Sequence, residues 1–463
     1  MNTMTTPQAW NPEDRGFWDR AGRAVAQRNL WVSIPALALA FAVWMLWSVV
    51  VVHLPAVGFR YSTNQLFWLT ALPALCGATL RIFYAFAVPL IGGRRFTTLA
   101  TASLLLPAIG LGLAVQDPNT PFEWMVVLAL LCGLGGGNFA SSMAHISFFF
   151  PSARRGTALG LNAGLGHLGV ALAQLLVPLA ISGGVFGVFG GAAQQAAEGA
   201  MWLQNAGFIW VPLILASTAA AWYGMDDLPD THAGLAEQAV IFTRKHNWLM
   251  CWLYLGTFGS FIGFAASLPM LVQSQFQHAD ALHLVWLGPL IGAVLRPLGG
   301  WMADHWGGAR VTFWIFVAMA LAALAALWCL PTASAAGAVG RGGHLLGFLA
   351  AFGVLFAASG IGNGSTFRMI SYLFVAERLR NADSLPSAQA LAAKEGAVEA
   401  AAALGFASAI GAYGGFFIPK SVGSSLAMTG SASAAMAMFA VFYLSCIALT
   451  WWAYGRRNAP YPC

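Results

Sequence analysis

Charged residues are scarce in this chain, and carboxylates are the scarcest. Only 8% of the 463 residues are charged, and sixteen acidic residues stand against twenty-two basic ones. Soluble domains carry roughly a quarter charged residues, so the composition excludes that class. With 59% hydrophobic residues, the chain is predicted to be an all-α integral membrane protein.

The sequence also lacks the spacings that mark metal sites, disulfides and catalytic centres. Its six cysteines stand singly in apolar segments or at the C-terminus, with no CxxC pair. There is no nucleophile–base pair, metal-ligand spacing or nucleotide-binding loop. We therefore expect no metal ion, no cofactor and no enzymatic activity.

Twelve apolar segments are long enough to span a bilayer, which takes about 20 helical residues. The polar first thirty residues do not resemble a cleavable signal, so the first span is expected to stay as an anchor in the lipid. The predicted spans are 30–53, 66–92, 97–115, 122–149, 156–182, 207–223, 248–273, 281–303, 311–331, 344–375, 396–419 and 433–454.

Basic residues between these spans fall mostly on one side. Sixteen lie in the termini and loops of that side, whereas Arg60, Arg341 and Lys420 lie on the other. Cytoplasmic loops retain positive charge, so both termini are predicted to be cytoplasmic. Because the charges are scattered over short loops, we expect no nucleic-acid partner.

The chain repeats itself. The predicted halves are 1–225 and 248–463, joined by a linker at 226–247. Segment four carries GLGGGNFASSM and segment ten carries GIGNGSTFRMI, while LGLNAGLGHLG in segment five and LGFASAIGAYG in segment eleven share four identities. Two parallel six-helix halves place a substrate site near the midplane between them.

Each half carries one arginine deep in an apolar span, Arg81 and Arg296, and no carboxylate lies at comparable depth. A charge there costs about 2.5 to 3.5 kcal/mol, which usually marks function. A guanidinium fork suits a flat oxyanion such as nitrate, nitrite or a carboxylate. Two uncompensated positive charges would disfavour closing the cavity unless an anion is bound, which predicts a carrier that exchanges anions.

Other polar residues admit two interpretations. The glycines and asparagines of the paired motifs either contact substrate or let neighbouring helices pack and bond. His145 and His167, the only deep histidines, either join helices or carry a proton. Arg368 lies nearer the end of its span, where its side chain can reach the headgroups. The motif residues are Gly135, Gly136, Gly137, Asn138, Gly360, Gly362, Asn363 and Gly364.

The run GGNFASSMAHISFFFP at 136–151, with GNGSTF at 362–367, resembles the paired nitrate signatures of the NarK-type nitrate/nitrite porters of the major facilitator superfamily. The resemblance covers essentially the whole chain. GWMADHWGGAR at 300–310 is similar to a loop motif of the superfamily.

This resemblance implies a twelve-helix antiporter of a bacterial inner membrane that imports nitrate and exports nitrite. We expect the protein to be a monomer. By similarity, Arg81 and Arg296 would clamp the anion from opposite halves. His167 stands where the family commonly has asparagine, so selectivity or pH dependence would differ here if His167 touches the anion. The other residues that the resemblance assigns to binding are Phe41, Phe139, Asn162, Tyr254 and Phe258.

Three alternatives stay open at this point. A nitrate/proton symporter would need His145 or His167 as its proton carrier. An anion channel would conduct without a counter-substrate. A sensor that does not transport is disfavoured by the doubled site.

Overall fold

The computed structural model describes residues 10–196, 199–228, 240–276, 279–331, 343–456 and 459. Arg341, Cys463 and residues 229–239 of the predicted linker lie outside these ranges. Within them, twelve helices are long and apolar enough to cross a membrane, which confirms the predicted number. They are α1 (Arg15–His53), α2 (Thr63–Ile91), α3 (Gly93–Ala114), α4 (Phe122–Phe149), α5 (Ser152–Ile181), α6 (Asn205–Gly224), α7 (Lys245–Phe276), α8 (Leu287–Trp306), α9 (Gly308–Cys329), α10 (Leu345–Asn381), α11 (Pro386–Thr429) and α12 (Ser433–Gly455).

Most boundaries lie within a few residues of the prediction, and the largest differences are extensions. Helix α1 begins in the polar N-terminal segment, and α11 runs from Pro386 to Thr429 with a break at Tyr413. Hydropathy marks only the part of a helix in the bilayer core, so a helix that continues into polar surroundings is underestimated. Short 3-10 helices lie at Pro55–Val57, Gly187–Gly190, Val240–Thr243 and Ala279–Leu284.

A small hairpin between α5 and α6 was not predicted. Strand β1 (Gln194–Ala196) pairs antiparallel with β2 (Gly199–Met201), and Gln194 lies opposite Met201. It joins the helix ends outside the spans, where hydropathy carries no strand signal.

Local sequence explains how the arginine-bearing helices begin and end. Ser62 and Gln65 form a capping box at the start of α2. Gly92 ends α2 with φ +93°, and Gly307 ends α8 with φ +88°. Only glycine adopts such angles readily, so each deep arginine is followed, at the same spacing, by a glycine turn into the next helix.

We call helices α1–α6 the first half and α7–α12 the second half; the two sets pack through the pairs α2 with α11, α5 with α8, and α1 with α7. We call the end of the bundle that carries Arg94 and Arg244 the basic face, and the end that carries Arg60 and Lys420 the opposite face. Several polar contacts between the halves lie at the midplane and towards the opposite face. They include Thr79 with Tyr413, Gln174 with the Ala265 carbonyl, and Asn64 with Lys420.

Towards the basic face, several glycines of α5 and α8 have open space beside them. A Cβ built on Gly156, Gly160 or Gly164 of α5 would meet no atom within 4 Å. These glycines recur every four residues towards His167, which faces the other half, so they share its side of the helix. A Cβ built on Gly300, one turn beyond Arg296 on α8, would likewise meet no atom within 4 Å. These positions therefore leave room beside α5 and α8 on the basic-face side of the two arginines.

Candidate anion site between the halves

Arg81 is completely buried in α2 and is bonded to both halves. Its Nε and Nη2 donate to the Gly136 carbonyl of α4 at 3.0 and 2.7 Å. Its Nη1 donates to the Ser408 carbonyl of α11 at 3.0 Å. Three bonds to two rigid helices fix the plane of the guanidinium group.

Glycines on α4 make this geometry accessible. A Cβ on Gly136 would lie 2.9 Å from the Gly77 Cα and 2.7 Å from the Trp44 ring. A Cβ on Gly135 would lie 2.2 Å from the Ala40 carbonyl of α1. The glycine motif therefore allows α4 to pack tightly against α1 and α2, which brings the Gly136 carbonyl within reach of Arg81.

The second half repeats the arrangement with α10 against α8. A Cβ on Gly360 would lie 2.2 Å from the Gly292 carbonyl, and a Cβ on Gly364 would lie 2.1 Å from the Arg296 carbonyl. A Cβ on Gly362 would meet Thr257 of α7 at 2.7 Å. In this structure the second motif holds the backbone that carries Arg296.

Arg296 reaches into the first half. Its Nη1 lies 2.8 Å from His167 Nδ1, and its Nη2 donates to the Tyr254 hydroxyl at 3.4 Å. A guanidinium group only donates, so the His167 nitrogen that faces it is the acceptor, and the imidazole is neutral in this arrangement. His167 is thus a polar contact between α5 and α8.

Aromatic rings enclose the two guanidinium groups. The Phe139 ring centroid lies 4.9 Å from Arg81 Cζ and 6.0 Å from Arg296 Cζ, so both charges flank one ring. The Phe258 centroid lies 5.3 Å from Arg81 Cζ. Phe41 packs on His167 at 4.5 Å and Phe139 at 6.2 Å.

A widened turn in α7 places two of these rings. Residues Leu255–Gly259 form a π-helical turn. Tyr254 lies directly before this turn and Phe258 within it, with their ring centroids 5.6 Å apart. Such turns are frequent at functional sites because they alter the direction of the side chains that follow.

No carboxylate pairs with either arginine in the described part of the chain. Every described ion pair lies towards the basic face, where Arg28 binds Asp226 at 2.5 Å and Glu399 binds Arg244 at 3.1 Å. A guanidinium group carries five N–H donors. The described bonds leave two donors on Arg81 and three on Arg296 without a protein acceptor. The site therefore offers two positive charges and several free donors to an anion.

The structure brings together Arg81, Arg296, Phe41, Phe139, Tyr254, Phe258 and His167, but it does not bring Asn162 to them. Asn162 Nδ2 donates to the Ser142 hydroxyl of α4 at 2.8 Å, inside the first half. Asn138 lines a cavity of about 10 Å³ with Ser33 and Thr101, also within that half. Asn363 is buried in α10 at 2% exposure.

Two other ambiguous residues have clear structural partners. His145 Nε2 lies 3.3 Å from the Asn29 side-chain oxygen, which joins α4 to α1. Arg368 pairs with Asp304, and both side chains are about half exposed at the basic face. Neither residue contacts the buried arginines.

Three further aromatic residues surround the buried arginines and His167, and the sequence pattern did not single them out. Trp44 lies 5.4 Å from Arg81 Cζ, Phe367 lies 5.6 Å from Arg296 Cζ, and Phe261 packs on His167 at 5.7 Å. Trp44 and Phe261 each follow a predicted site residue, Phe41 or Phe258, by three positions. A spacing of three places both members of a pair on one helix face. This spacing was the sequence signal that could have identified Trp44 and Phe261.

Comparison with known proteins agrees with this fold. The family described as Major Facilitator Superfamily matches residues 32–382. The chain is 49% identical over 450 residues to "Nitrate/nitrite transporter NarU" of Escherichia coli strain K12, covering 97% of this chain and 96% of that protein. It is 39% identical to "Probable nitrate/nitrite antiporter NarK2" of Thermus thermophilus, with 98% and 97% coverage.

Among solved structures, a bacterial homologue of the human lysosomal transporter Spinster superposes with a TM-score of 0.62. The two chains are 15% identical, and the match covers 94% of this chain and 97% of the other, so the likeness concerns the fold. The chain therefore belongs to the major facilitator superfamily and, within it, to the NarK-type nitrate/nitrite porters.

Proposed function

We propose that this multi-pass membrane protein is a nitrate/nitrite antiporter, which imports nitrate in exchange for nitrite by alternating access. The observation that carries the proposal is the buried pair Arg81 and Arg296, one from each half, which share the Phe139 ring and have no described carboxylate partner. The names of NarU and NarK2 support nitrate and nitrite as the substrates.

The chemistry of the site suits a flat, monovalent oxyanion. Two fixed guanidinium groups can donate in-plane to two or three oxygens, while Phe139 and Phe258 wall the site with rings rather than with water. Tyr254 and His167 orient Arg296 towards the first half. Phe41 completes the wall through its contact with His167.

Exchange follows from the electrostatics. Two unit charges about 8 Å apart repel by about 2 kcal/mol at an effective dielectric constant of 20, and an anion about 4 Å from each would gain about 4 kcal/mol per contact. Reorientation requires the halves to close around these charges. A carrier loaded with an anion can do so, whereas an unloaded one meets the repulsion in a desolvated site.

We place the protein in a bacterial inner membrane as a monomer, with the basic face and both termini in the cytoplasm. The halves 1–225 and 248–463, linked by 226–247, are proposed as the two bodies that rock. Helix α7 begins at Lys245 and therefore takes up the end of that linker.

The deciding experiment uses purified protein in liposomes. Uptake of labelled nitrate is measured into vesicles that contain nitrite, nitrate or neither, each with and without an inward proton gradient. Exchange predicts uptake that requires an internal anion and ignores the proton gradient. Vesicles without protein and a variant with both Arg81→Ala and Arg296→Ala serve as controls.

The other transport modes give distinct results. Proton-driven uptake into vesicles with no internal anion would overturn exchange in favour of symport. His167, which contacts Arg296, would then be the first candidate for the proton carrier. A nitrate current that persists without a counter-anion would indicate a channel.

A further inference from the structure

Lys420 lies where the two halves meet on the opposite face. Its ammonium group, on α11 of the second half, donates to the Asn64 side-chain oxygen of α2 at 2.9 Å. The same Nζ lies 4.3 Å from the centroid of the Trp68 ring, also on α2. Trp68 in turn packs on Phe416 at 5.9 Å. Asn64 and Trp68, the two partners of the ammonium group, therefore both belong to the other half.

This cation has no counter-charge in the described part of the chain, since none of the described ion pairs includes Lys420. It follows Ser408, which accepts from Arg81, by twelve positions on α11. At 1.5 Å per residue this is about 18 Å along the helix, away from the basic face. Lys420 is thus a half-buried positive charge between the arginine pair and the surface of the opposite face.

Alternating access requires this face to open when the basic face closes. Opening separates α2 from α11, because these helices carry the polar contacts between the halves there. Separation removes Asn64 and the Trp68 ring from Lys420. The ammonium group is then left on the wall of the new opening, without a protein partner from the other half, on the path to Arg81.

We propose that Lys420 is an outer docking site for a monovalent oxyanion, released from Asn64 and Trp68 only in the state that opens to the opposite face. The ammonium group attracts the anion into the opening and is returned to Asn64 and Trp68 when the face closes. The inference rests on the proposed anion transport. It adds a second binding position that is specific to one side of the membrane.

The test measures transport from each side separately. Right-side-out and inverted vesicles are prepared from cells that express wild type, Lys420→Met, Lys420→Arg or Arg60→Gln, and KM for labelled nitrate is determined in each at low and high ionic strength. Arg60 is an exposed basic residue on the loop of the same face, so its neutral variant controls for general surface charge.

We expect Lys420→Met to raise KM at low ionic strength by about three- to tenfold in one vesicle type only. A single charge should give an effect at or below the low end of electrostatic steering, which is about tenfold. High salt should remove this difference from wild type. Lys420→Arg should remain close to wild type because it keeps the charge, and Arg60→Gln should have a smaller effect.

An unchanged KM for Lys420→Met on both sides would overturn the docking site. An equal change on both sides would also overturn it, and would indicate that Lys420 acts only as a latch on the conformational equilibrium. The absence of nitrate transport by wild type would instead refute the proposed function. Membrane abundance and thermal stability of each variant in detergent show whether a change in KM comes from misfolding.

Discussion

Arg81→Lys separates the charge of the site from the geometry of the guanidinium fork. In the wild type, Nε and Nη2 hold the Gly136 carbonyl while Nη1 holds the Ser408 carbonyl, and two N–H groups remain for an anion. A lysine ammonium keeps the positive charge but gathers its three donors on one nitrogen. It cannot bond both carbonyls and still present two in-plane donors to an anion.

The expected loss can be worked from these bonds. A hydrogen bond to a charged group contributes about 1.5 to 3 kcal/mol, so the loss of two donors to the anion amounts to about 3 to 6 kcal/mol. Each 1.4 kcal/mol is a factor of about ten, which corresponds to a loss of about 10² to 10⁴ in anion affinity. The retained charge offsets part of this, so we expect Arg81→Lys to weaken nitrate affinity by about 100-fold.

The assay is counterflow of labelled nitrate into liposomes loaded with nitrate, which gives KM for equal amounts of reconstituted protein. Arg368→Lys is the matched control, because Arg368 undergoes the same substitution in a half-exposed ion pair with Asp304, away from the site. We expect its KM to remain within about twofold of wild type, since an exposed pair contributes about 0 to 1 kcal/mol. If Arg81→Lys retains KM within about threefold of wild type, a point charge is sufficient for anion binding and the guanidinium fork is not required.

Three further predictions concern packing, the imidazole and the N-terminal segment. Gly136→Ala should lower both thermal stability and nitrate transport because its Cβ meets the backbone of α2 at 2.9 Å, whereas Gly353→Ala, which has open space beside it, should melt like wild type. His167→Asn should keep exchange, since an amide oxygen can still accept from Arg296. It should also remove the part of any change in KM between pH 5.5 and 8 that is due to the imidazole. If KM changes with pH in wild type and changes equally in the variant, the imidazole does not have this role. The backbone N–H and the hydroxyl of Ser152, at the start of α5, donate to the Glu13 carboxylate and hold its pKa below its usual value. This contact therefore stabilises the packing of the N-terminal segment around Glu13 against α5 at neutral pH, and it is lost as the pH falls through the lowered pKa. Limited proteolysis of the segment should therefore accelerate in Glu13→Gln at pH 7 and in wild type only at acidic pH, and equal protection of variant and wild type at pH 7 would argue against it.

The presence of one arginine within an apolar span of each half was accessible from sequence, because hydropathy is a local property. Arg81 and Arg296 lie at equal distances from their glycine turns, and the structure places both against Phe139. The two alternatives for the glycine motifs could not be separated in the same way. A glycine that packs against a helix and one that admits a substrate have the same sequence signature, and only the contact of Gly136 with Gly77 distinguishes them.

The rotation of each helix about its axis was not accessible from sequence. In a soluble helix the apolar stripe indicates the buried face, but a membrane helix is apolar towards both lipid and protein. Asn162 and His167 lie on the same helix, yet Asn162 bonds Ser142 inside its own half and His167 crosses to Arg296. Their residue types and depths gave no means of telling them apart.

The sequence by itself determined the class of the protein, its twelve spans, its internal repeat and the presence of two deep arginines without a nearby acid. These properties follow from transfer free energies and chain order, which are local. The tertiary structure alone decided that Arg81 is held by the Gly136 and Ser408 carbonyls, and that Arg296 meets His167. It also decided that Lys420 of α11 contacts Asn64 and Trp68 of α2 at the opposite face. Each of these contacts joins residues far apart in the chain, and it depends on how close-packed helices are rotated and spaced against one another, which no local pattern in an apolar chain specifies.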